Sequence, residues 1–499
     1  MNLKKVVFSA SSLLLVAAIL SGCSFTPSFE AYDYSIVDKD THEEEKGFNY
    51  LKISDYEPLR YKGVGGVEEQ LDTYLDVYRH KNLQLSLNTT GEAKILVIPV
   101  DFEDYTIEDL KTSKEVFFTN LNNAFFGKAE KTKYESVASF FDKSSYGKLK
   151  IKGKVVDKFY RSPFSYNALL KTTDKQKTID IYKGALAWYK ENYNDIEDYY
   201  VEGKEELGIP VYLIYTAPAS NTNDSIFWAY TFMANNLFSW SSYHMMNLDY
   251  RNMPDSHTYI HETGHLLSLS DYYATNDSKF GPTGRVDMMD YSIGDETSYS
   301  KMALNWVRPY QVTGSGSITI SDFESSGDVI LINNNWNKSV LDEYLLLELY
   351  SPTYLNEYDA NIGNSAAKLM SNPGLKVYHV DSRAAYFNAF SLASAPVAYV
   401  ESGNCPETSY RIGIAHDNAY SSKNEFSKRS LYHLLENHDK NTFLDGAMAT
   451  IDTMWYVGDD FGETCYKDFT FNNGNKLGYT FKVEVLDAKS ATISFAVLN

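Results

Sequence analysis

The pentapeptide HETGH, residues 261–265, constrains this chain more than any other part of its sequence. Residues four apart on an α-helix are separated by about 40° around the axis, so His261 and His265 project from one face. Two neutral imidazoles at this spacing can bind one Zn²⁺ ion. Glu262 follows His261 and can reach a water molecule on such a metal. The spacing therefore predicts a helix that carries a metal site with an adjacent carboxylate.

HETGH matches HExxH, a pattern typical of zinc peptidases. In that chemistry the metal lowers the pKa of a bound water towards about 7. The glutamate takes a proton from the water and later passes it to the leaving amine. The pattern thus predicts Glu262 as general base and acid. A helix with two ordinary surface or core histidines is the alternative interpretation.

A catalytic zinc needs a third protein ligand, and HETGH does not supply it. Asp271 lies six residues after His265, beyond a turn, where a chain that doubles back could present an oxygen ligand. His257 faces the same side of the helix as His261, but a third ligand from one helix gives poor tetrahedral geometry. Asp271 is favoured, and the other residues that remain open at this point are His257, His244, His379 and Glu296.

The stretch HETGHLLSLSDYY, residues 261–273, resembles the HExGHxLGLPDxY signature of the immune inhibitor A family of bacterial metallopeptidases. In that family an aspartate is the third zinc ligand. The resemblance implies that His261, His265 and Asp271 are the metal ligands and that Glu262 is the base. Ser268 stands where the family has glycine, and Ser270 stands where it commonly has proline. A residue with a Cβ atom is strained at a positive φ, so the turn to Asp271 depends on Ser268.

A second stretch, RVDMMDYSIGDETSYSKMALNWV at residues 285–307, is similar to the family's D-[IM]-M-D-Y segment and the helix after it. By this resemblance Met289 is the Met-turn residue, an apolar floor beneath the metal. Tyr291 is implied to lean towards the metal, where it could donate a hydrogen bond to the oxyanion of the tetrahedral intermediate. The resemblance covers about residues 93–385 and implies a metzincin-like catalytic domain.

Near the start of the chain, Lys4 and Lys5 precede an apolar run from Val6 to Leu20, and the sequence Leu-Ser-Gly-Cys ends at Cys23. This layout predicts a secretory signal over residues 1–22, and the run is shorter than the roughly 20 residues of a spanning helix. Leu-Ser-Gly-Cys resembles the bacterial lipobox, which implies a diacylated Cys23 and an anchor on the outer side of the cell membrane. An ordinary signal peptide with an accidental cysteine is the alternative.

The charge and cysteine content of the chain limit the kinds of binding partner and covalent link that we expect. The 46 basic residues are outnumbered by 66 acidic ones, and no basic block is interleaved with aromatics, so nucleic acid is not expected as a partner. Contact with the membrane is expected through the lipid alone. Apart from Cys23, the chain has two cysteines, Cys405 and Cys465, which could form one disulfide outside the cytoplasm. Two free thiols are the alternative. The acidic sequence GDDFGE, residues 458–463, is a weak signal for Ca²⁺, since most such clusters are only solvated.

The texture of the sequence changes twice along the chain. Residues 23–90 read as a polar tether and a candidate pro-segment or early helix, with helical spacing around VEEQLDTYLDVYRH. Residues 91–310 mix buried strands with helices, which predicts an α+β catalytic domain. The continuous apolar run KILVIPVDFEDY predicts a central strand. A helix around SKEVFFTNLNNAFFG is expected to end at Gly127, and a second helix, YESVASFFDKSSYG, is expected to end at Gly147. Residues 311–499 hold short alternating strands, such as EYLLLELY, separated by turn residues, which predicts an all-β, sandwich-like region.

Taken together, these patterns lead us to expect a lipid-anchored zinc endopeptidase that cleaves extracellular proteins. The alternative from another class is an inactive, peptidase-like protein that binds or adheres at the cell surface. Ser268 and Ser270 are the residues that would support this alternative.

Overall fold

The computed structural model describes residues 46–52, 55–71, 86–132, 134–172, 174–201, 209–219, 226–232, 237–243, 254, 256–274, 280–361, 370–388, 396–403, 410–418 and 429–498. The fold is mixed α/β with several sheets and a β-rich C-terminal region. In chain order the strands are β1 (Phe48–Tyr50), β2 (Leu59–Lys62), β3 (Glu68–Leu71), β4 (Gly91–Asp101), β5 (Leu149–Val155), β6 (Tyr160–Arg161), β7 (Val211–Tyr215), β8 (Tyr230–Phe232), β9 (Phe238–Ser242), β10 (Pro309–Val312), β11 (Gly316–Ser321), β12 (Val329–Ile332), β13 (Glu343–Tyr350), β14 (Gly374–Asp381), β15 (Ala384–Asn388), β16 (Ala398–Tyr399), β17 (Tyr410–Ile414), β18 (Tyr432–Leu434), β19 (Asp460–Phe461), β20 (Tyr479–Leu486) and β21 (Ser490–Val497).

Helices connect and cover these strands. The α-helices are α1 (Lys114–Phe126), α2 (Val137–Ser144), α3 (Tyr166–Leu169), α4 (Gln176–Asn192), α5 (Ser256–Leu266), α6 (Ser298–Ala303), α7 (Phe323–Ser326) and α8 (Glu357–Asn361). Short 3-10 turns are formed by Val64–Gly66, Ala129–Lys131, Ile196–Tyr199, Tyr354–Asn356, Val400–Ser402, Asn437–Asp439, Thr442–Asp445 and Ile451–Thr453.

The first large sheet has the order β5-β4-β7-β9-β8, with β6 also paired to β4. β5, β4, β7 and β9 run parallel, and β8 is antiparallel to β9. A parallel strand covered on both faces reads as a continuous apolar run, which is why KILVIPV predicts β4 correctly. Alternate residues of β4, such as Ile95 and Leu96, enter two different hydrophobic clusters. The sheet thus lies between α4 on one face and α1, α2 and α5 on the other.

The helices beside this sheet begin and end at residues that their sequences indicate. Ser113 caps α1 by accepting a hydrogen bond from the Val116 N–H, and Gly127 ends the helix as predicted. Ser136 caps α2 in a capping box with Ser139. The predicted continuation of α2 to Gly147 is too long, because the chain leaves the helix after Ser144 and Tyr146 adopts a φ of 54°.

The C-terminal region contains a six-stranded sheet, β1-β10-β12-β13-β14-β18, and a four-stranded antiparallel sheet, β11-β21-β20-β19. Side chains from both sheets form one hydrophobic cluster. The opposite face of the six-stranded sheet packs on the core of the first sheet. β13 alternates accordingly, with Leu345 and Leu347 facing the C-terminal cluster and Tyr344 and Leu346 facing the other. The six-stranded sheet is therefore the middle layer of the molecule.

Two expectations from the sequence are corrected by the structure. The helix expected around VEEQLDTYLDVYRH is wrong for residues 68–71, which form β3 and pair with β2, and residues 72–85 lie outside the described residues. The region after residue 310 is β-rich but not purely β or antiparallel. It contains α7 and α8, and β10 pairs with β12 in parallel because β11 and α7 form the crossover between them.

Part of the predicted tether is built into the fold. β1 pairs with β10 at one end of the six-stranded sheet. The Leu87 N–H donates to the carbonyl of Leu266, the last residue of α5, over 2.9 Å. The Trp306 indole N–H donates to the carbonyl of Thr89 over 2.7 Å. These contacts make residues 46–52 and 86–90 parts of the packed structure.

Several sequence predictions lie outside the described residues. The signal segment 1–22, Cys23 and Cys405 belong to this group. Cys465 is buried, and its disulfide with Cys405 stays a prediction because Cys405 is not among the described residues. Within the residues that the structure describes, no helix combines the length and the apolar character needed to cross a membrane.

Candidate metal centre

Helix α5 presents the two histidines of HETGH on one face. Tyr259, Ile260 and Leu266 are buried on its other sides and belong to the central hydrophobic cluster, which fixes the rotation of the helix. The His261 and His265 rings lie 4.9 Å apart at nearly perpendicular angles and remain partly exposed. The predicted helical spacing of the two histidines is therefore confirmed.

A left-handed turn at Ser268 ends this helix. Ser268 has a φ of 72°, its N–H donates to the His265 carbonyl over 2.8 Å, and the Leu269 N–H donates to the Gly264 carbonyl over 3.1 Å. This pair of hydrogen bonds is the Schellman arrangement, in which glycine usually occupies the left-handed position. Ser268 thus makes a left-handed turn at the position where the family signature has glycine. The chain reverses there and brings Asp271 back to the helix.

The turn brings Asp271 to both histidines. Its Oδ1 atom lies 3.2 Å from His261 Nε2 and 3.2 Å from His265 Nε2. Ligands about 2.05 Å from a tetrahedral zinc are separated from one another by about 3.3 Å. Among the described residues, this is the one group of at least three His, Cys, Asp or Glu side chains whose ligand atoms all lie within 4.8 Å of one another. The two separations from Asp271 Oδ1 thus fit edges of a zinc tetrahedron.

Backbone carbonyls orient both imidazoles. His261 Nδ1 lies 2.9 Å from the Met288 carbonyl oxygen, and His265 Nδ1 lies 2.8 Å from the Leu269 carbonyl oxygen. A carbonyl only accepts, so each Nδ1 carries a hydrogen, and in the neutral ring each Nε2 is the nitrogen whose lone pair could bind a metal. Such partners of the second ring nitrogen are usual around metal-bound histidines.

In the metal-free chain the three side chains shift one another's pKa values. Burial would lower the pKa of His265, but the Asp271 carboxylate outweighs it and raises this pKa to about 9. The pKa of His261 is raised in the same way, against the effect of burial. Burial would raise the pKa of Asp271, yet the two imidazoles hold it well below its usual range. The group is thus an anionic oxygen facing two basic nitrogens, a donor set suited to a divalent cation.

Glu262 is only 5% exposed and lies beside strand β8. The Thr231 hydroxyl of that strand donates to Glu262 Oε2 over 2.7 Å. Burial raises the pKa of Glu262, although the neighbouring histidines and Thr231 act against it. A carboxylate with a raised pKa accepts a proton more readily, as a general base requires.

Met289 lies beneath α5, as expected of a Met-turn residue. Its side chain is fully buried, and its carbonyl accepts a hydrogen bond from the Tyr272 N–H over 2.9 Å. Asp287 holds the turn, because its Oδ1 accepts from the Met289 N–H and its Oδ2 accepts from Thr297 at the start of α6. Residue 289 is therefore a buried apolar side chain packed against α5, and its role as the Met-turn beneath a metal stays a prediction.

Two tyrosines lie beside the group. Tyr291 is 47% exposed, with the Arg285 guanidinium 4.7 Å from its ring centroid and the Tyr273 ring 5.1 Å away. Tyr273 stacks on His261 at 6.3 Å, and burial together with the charges of Asp271 and Glu262 raises its pKa well above the ordinary value. Sequence reasoning singled out Tyr291 and missed both Tyr273 and Thr231. Tyr273 stands within the quoted DYY, whereas Thr231 gives no local signal.

The competing ligands do not join the group. His257 Nε2 lies 3.0 Å from the Ser292 carbonyl, and His379 Nε2 lies 2.9 Å from Glu343 Oε1. Glu296 is buried below Gly264, where burial and the nearby Asp287 raise its pKa well above the usual range. His244 lies outside the described residues.

In the acidic loop GDDFGE, Asp460 accepts hydrogen bonds from the backbone of Glu463 and Thr464, and Asp459 accepts from Asn437. Both carboxylates therefore already accept hydrogen bonds from the protein, and calcium at this loop stays a weak prediction.

Neither a scan against protein-family models nor a search of curated proteins returns a match for this chain. What the group can do chemically therefore has to be inferred from its geometry and its donor set.

Proposed function

We propose that this chain is a zinc-dependent endopeptidase of the immune inhibitor A type, with a metzincin-like catalytic domain over residues 91–310. The observation that carries the proposal is the position of Asp271 Oδ1, 3.2 Å from each histidine Nε2. Ser268, the main departure from the family signature, adopts the left-handed conformation that glycine would have. Of the two serines that would favour an inactive binding protein, Ser268 thus leaves Asp271 within 3.2 Å of both histidines, which supports the proposal.

The donor set favours zinc. Two imidazole nitrogens and one carboxylate oxygen, with a fourth position left for water or substrate, are typical of catalytic Zn²⁺ sites. Zinc, when bound, supplies Lewis-acid polarisation and a lowered pKa for a coordinated water. The chain's own contribution is to fix the ligands through Met288 and Leu269 and to keep the site partly buried.

Glu262 supplies the proton transfers in the proposed reaction. It takes a proton from the attacking water and returns it to the leaving amine, so it acts as base and then as acid. Its buried setting and its raised pKa suit both steps. The phenols of Tyr291 and Tyr273 are the candidate hydrogen-bond donors for the oxyanion. The Tyr273 ring lies 6.3 Å from the His261 ring, and the Tyr291 ring lies 5.1 Å from the Tyr273 ring.

The substrate is proposed to be an extended peptide segment of an extracellular protein. β8 lies at one end of the described sheet and runs antiparallel to its neighbour, and its Thr231 contacts Glu262. A strand at a sheet edge can bind an extended chain through backbone hydrogen bonds, which would lay a peptide across the metal group. The proposed lipid on Cys23 would keep the enzyme at the cell surface.

The test combines zinc quantification with digestion of casein, with and without a chelator. We expect about one zinc per chain and an activity that the chelator removes and added zinc restores. Glu262→Gln should keep the zinc and lose the activity, because it removes the base without touching a ligand. A fully active Glu262→Gln protein, or a wild-type chain without zinc, would contradict the proposal.

A further inference from the structure

Two hydroxyl side chains lie directly behind Glu262. Thr231 on β8 and Ser239 on β9 are cross-strand partners in the sheet register. Their hydroxyl oxygens are 2.7 Å apart, and both side chains are buried. The Thr231 hydroxyl also lies 2.7 Å from Glu262 Oε2 and 3.1 Å from the Glu262 carbonyl oxygen. The three residues form a continuous hydrogen-bonded chain from the sheet to the helix.

The direction of these hydrogen bonds follows from the number of protons. Thr231 has a single hydroxyl hydrogen, and a carboxylate is a stronger acceptor than a neutral hydroxyl. The hydrogen is therefore directed to Glu262 Oε2, and Ser239 donates to Thr231. This arrangement occupies one carboxylate oxygen of Glu262 and holds the side chain against the sheet, while the other carboxylate oxygen is left for proton transfer.

We propose that the Thr231–Ser239 hydroxyl pair is a positioning device for Glu262, in which β8 fixes the rotamer of the general base. The inference rests on the proposed function, since it assigns the pair a role in the same reaction. Without such a contact, a glutamate side chain can rotate between several staggered rotamers. Misplacement of a catalytic base by about 1 Å can lower the rate about a hundredfold. β8 is also the strand beside which the substrate is proposed to lie, so strand and base are aligned by one hydrogen bond.

The test uses two variants of Thr231, one that removes its hydroxyl group and one that removes its methyl group. Thr231→Val keeps the shape and removes the hydroxyl, whereas Thr231→Ser keeps the hydroxyl and loses a methyl. We expect Thr231→Val to lower kcat roughly ten- to a hundredfold, as is usual for partners of metal-site residues. KM and the zinc content should stay near the wild-type values, because the Thr231 side chain is buried against Glu262 and is not one of the proposed zinc ligands. Thr231→Ser should keep most of the activity, and Ser239→Ala should fall between the two.

A second measurement does not depend on activity. In the metal-free protein, Thr231→Val should lower the Tm in the wild-type background and lower it less in a Glu262→Ala background, because the carboxylate partner is then absent. Equal Tm losses in both backgrounds would overturn the proposal. So would a Thr231→Ser protein as slow as Thr231→Val, or a Thr231→Val protein with an unchanged kcat. A wild-type chain without peptidase activity would instead refute the proposed function. The Tm comparison would still show whether Thr231 and Glu262 stabilise each other.

Discussion

Gly264 and Met289 are packed so closely that a Cβ atom on residue 264 would lie 2.3 Å from the Met289 Sδ atom. Gly264 is the fourth residue of HETGH, and Met289 packs beneath α5, the helix that carries this sequence. The contact links the two sequence elements that the family resemblance joined, and it sets how near the helix can lie to its floor.

Gly264→Ala is expected to destabilise the protein. In an ordinary helix interior this change gains about 1 kcal/mol. Here the added methyl must displace a fully buried side chain, and overpacking of this kind costs about 1–3 kcal/mol. Chemical denaturation measures the free energy of unfolding. The change should be milder in a Met289→Ala background, where the obstructing sulfur is gone; an equal loss in both backgrounds would contradict the packing relationship.

Ser268→Gly is expected to stabilise the protein. A left-handed conformation costs a residue with a Cβ atom about 1–2 kcal/mol, and the greater freedom of glycine in the unfolded chain offsets part of that. The expected gain in the free energy of unfolding is roughly 0.5–1 kcal/mol, with zinc binding unchanged. Ser268→Ala is the matched control, since it keeps the Cβ atom and should show no gain. A less stable Ser268→Gly protein would mean that the serine hydroxyl, rather than the turn, matters at this position.

Zinc should raise the Tm of the wild-type chain, because a ligand that binds the folded state alone stabilises it. At a hundredfold excess over its Kd the gain is about 2.7 kcal/mol. Asp271→Ala should lose most of this gain, since it removes one of the three ligand atoms. His257→Ala is the control, because His257 bonds to the Ser292 carbonyl instead of joining the group. Equal zinc responses in Asp271→Ala and the wild type would remove Asp271 from the ligand set.

Asp290→Asn should flatten part of the pH dependence of stability. Burial raises the pKa of Asp290 from 3.8 to about 7, although Thr283 and Arg285 act against it. A carboxyl whose pKa is raised on folding contributes stability that is fully present below its unfolded pKa and is lost as the pH rises through about 7. The wild-type free energy of unfolding should therefore fall relative to that of Asp290→Asn between about pH 4 and 7, by at most a few kcal/mol.

The matched control for this change is Asp468→Asn, which removes an exposed carboxylate. It should leave the pH dependence as in the wild type. Buried Asp342 and Asp359 also have pKa values raised to about 7, so both variants keep a fall in stability over this range. Parallel pH curves for Asp290→Asn and the wild type would show that Asp290 titrates near its ordinary value.

The parts of the site that could be predicted from the sequence are those set by local geometry. The spacing of His261 and His265 follows from the helical period alone. The assignment of Asp271 as the third ligand rested largely on the family signature. Whether Asp271 reaches the histidines depends on a positive φ at Ser268, which no pattern of residue types determines. Tyr273 stood in the motif but could not be distinguished from its neighbour Tyr272, which is fully buried.

Thr231 could not be found from the sequence because its role is tertiary. It lies 31 residues before Glu262 and meets it only through the order of strands β9 and β8. The fold shows the same division. Continuous apolar runs such as β4 and β13 were predicted correctly, whereas the spacing of Val67 and Leu71 suited a helix as well as a strand. The pairing of β3 with β2 decided that ambiguity for residues 68–71.

The pairing of β1 with β10 has a mechanical consequence. If Cys23 is held in a membrane by lipid, tension between the membrane and a substrate reaches the described residues at Lys46, just before β1. The load then falls first on the hydrogen bonds between β1 and β10, at the end of the six-stranded sheet. Leu87, which touches the metal helix, lies further along the chain. The β1–β10 pair would thus separate before the force reaches His261, His265 and Asp271.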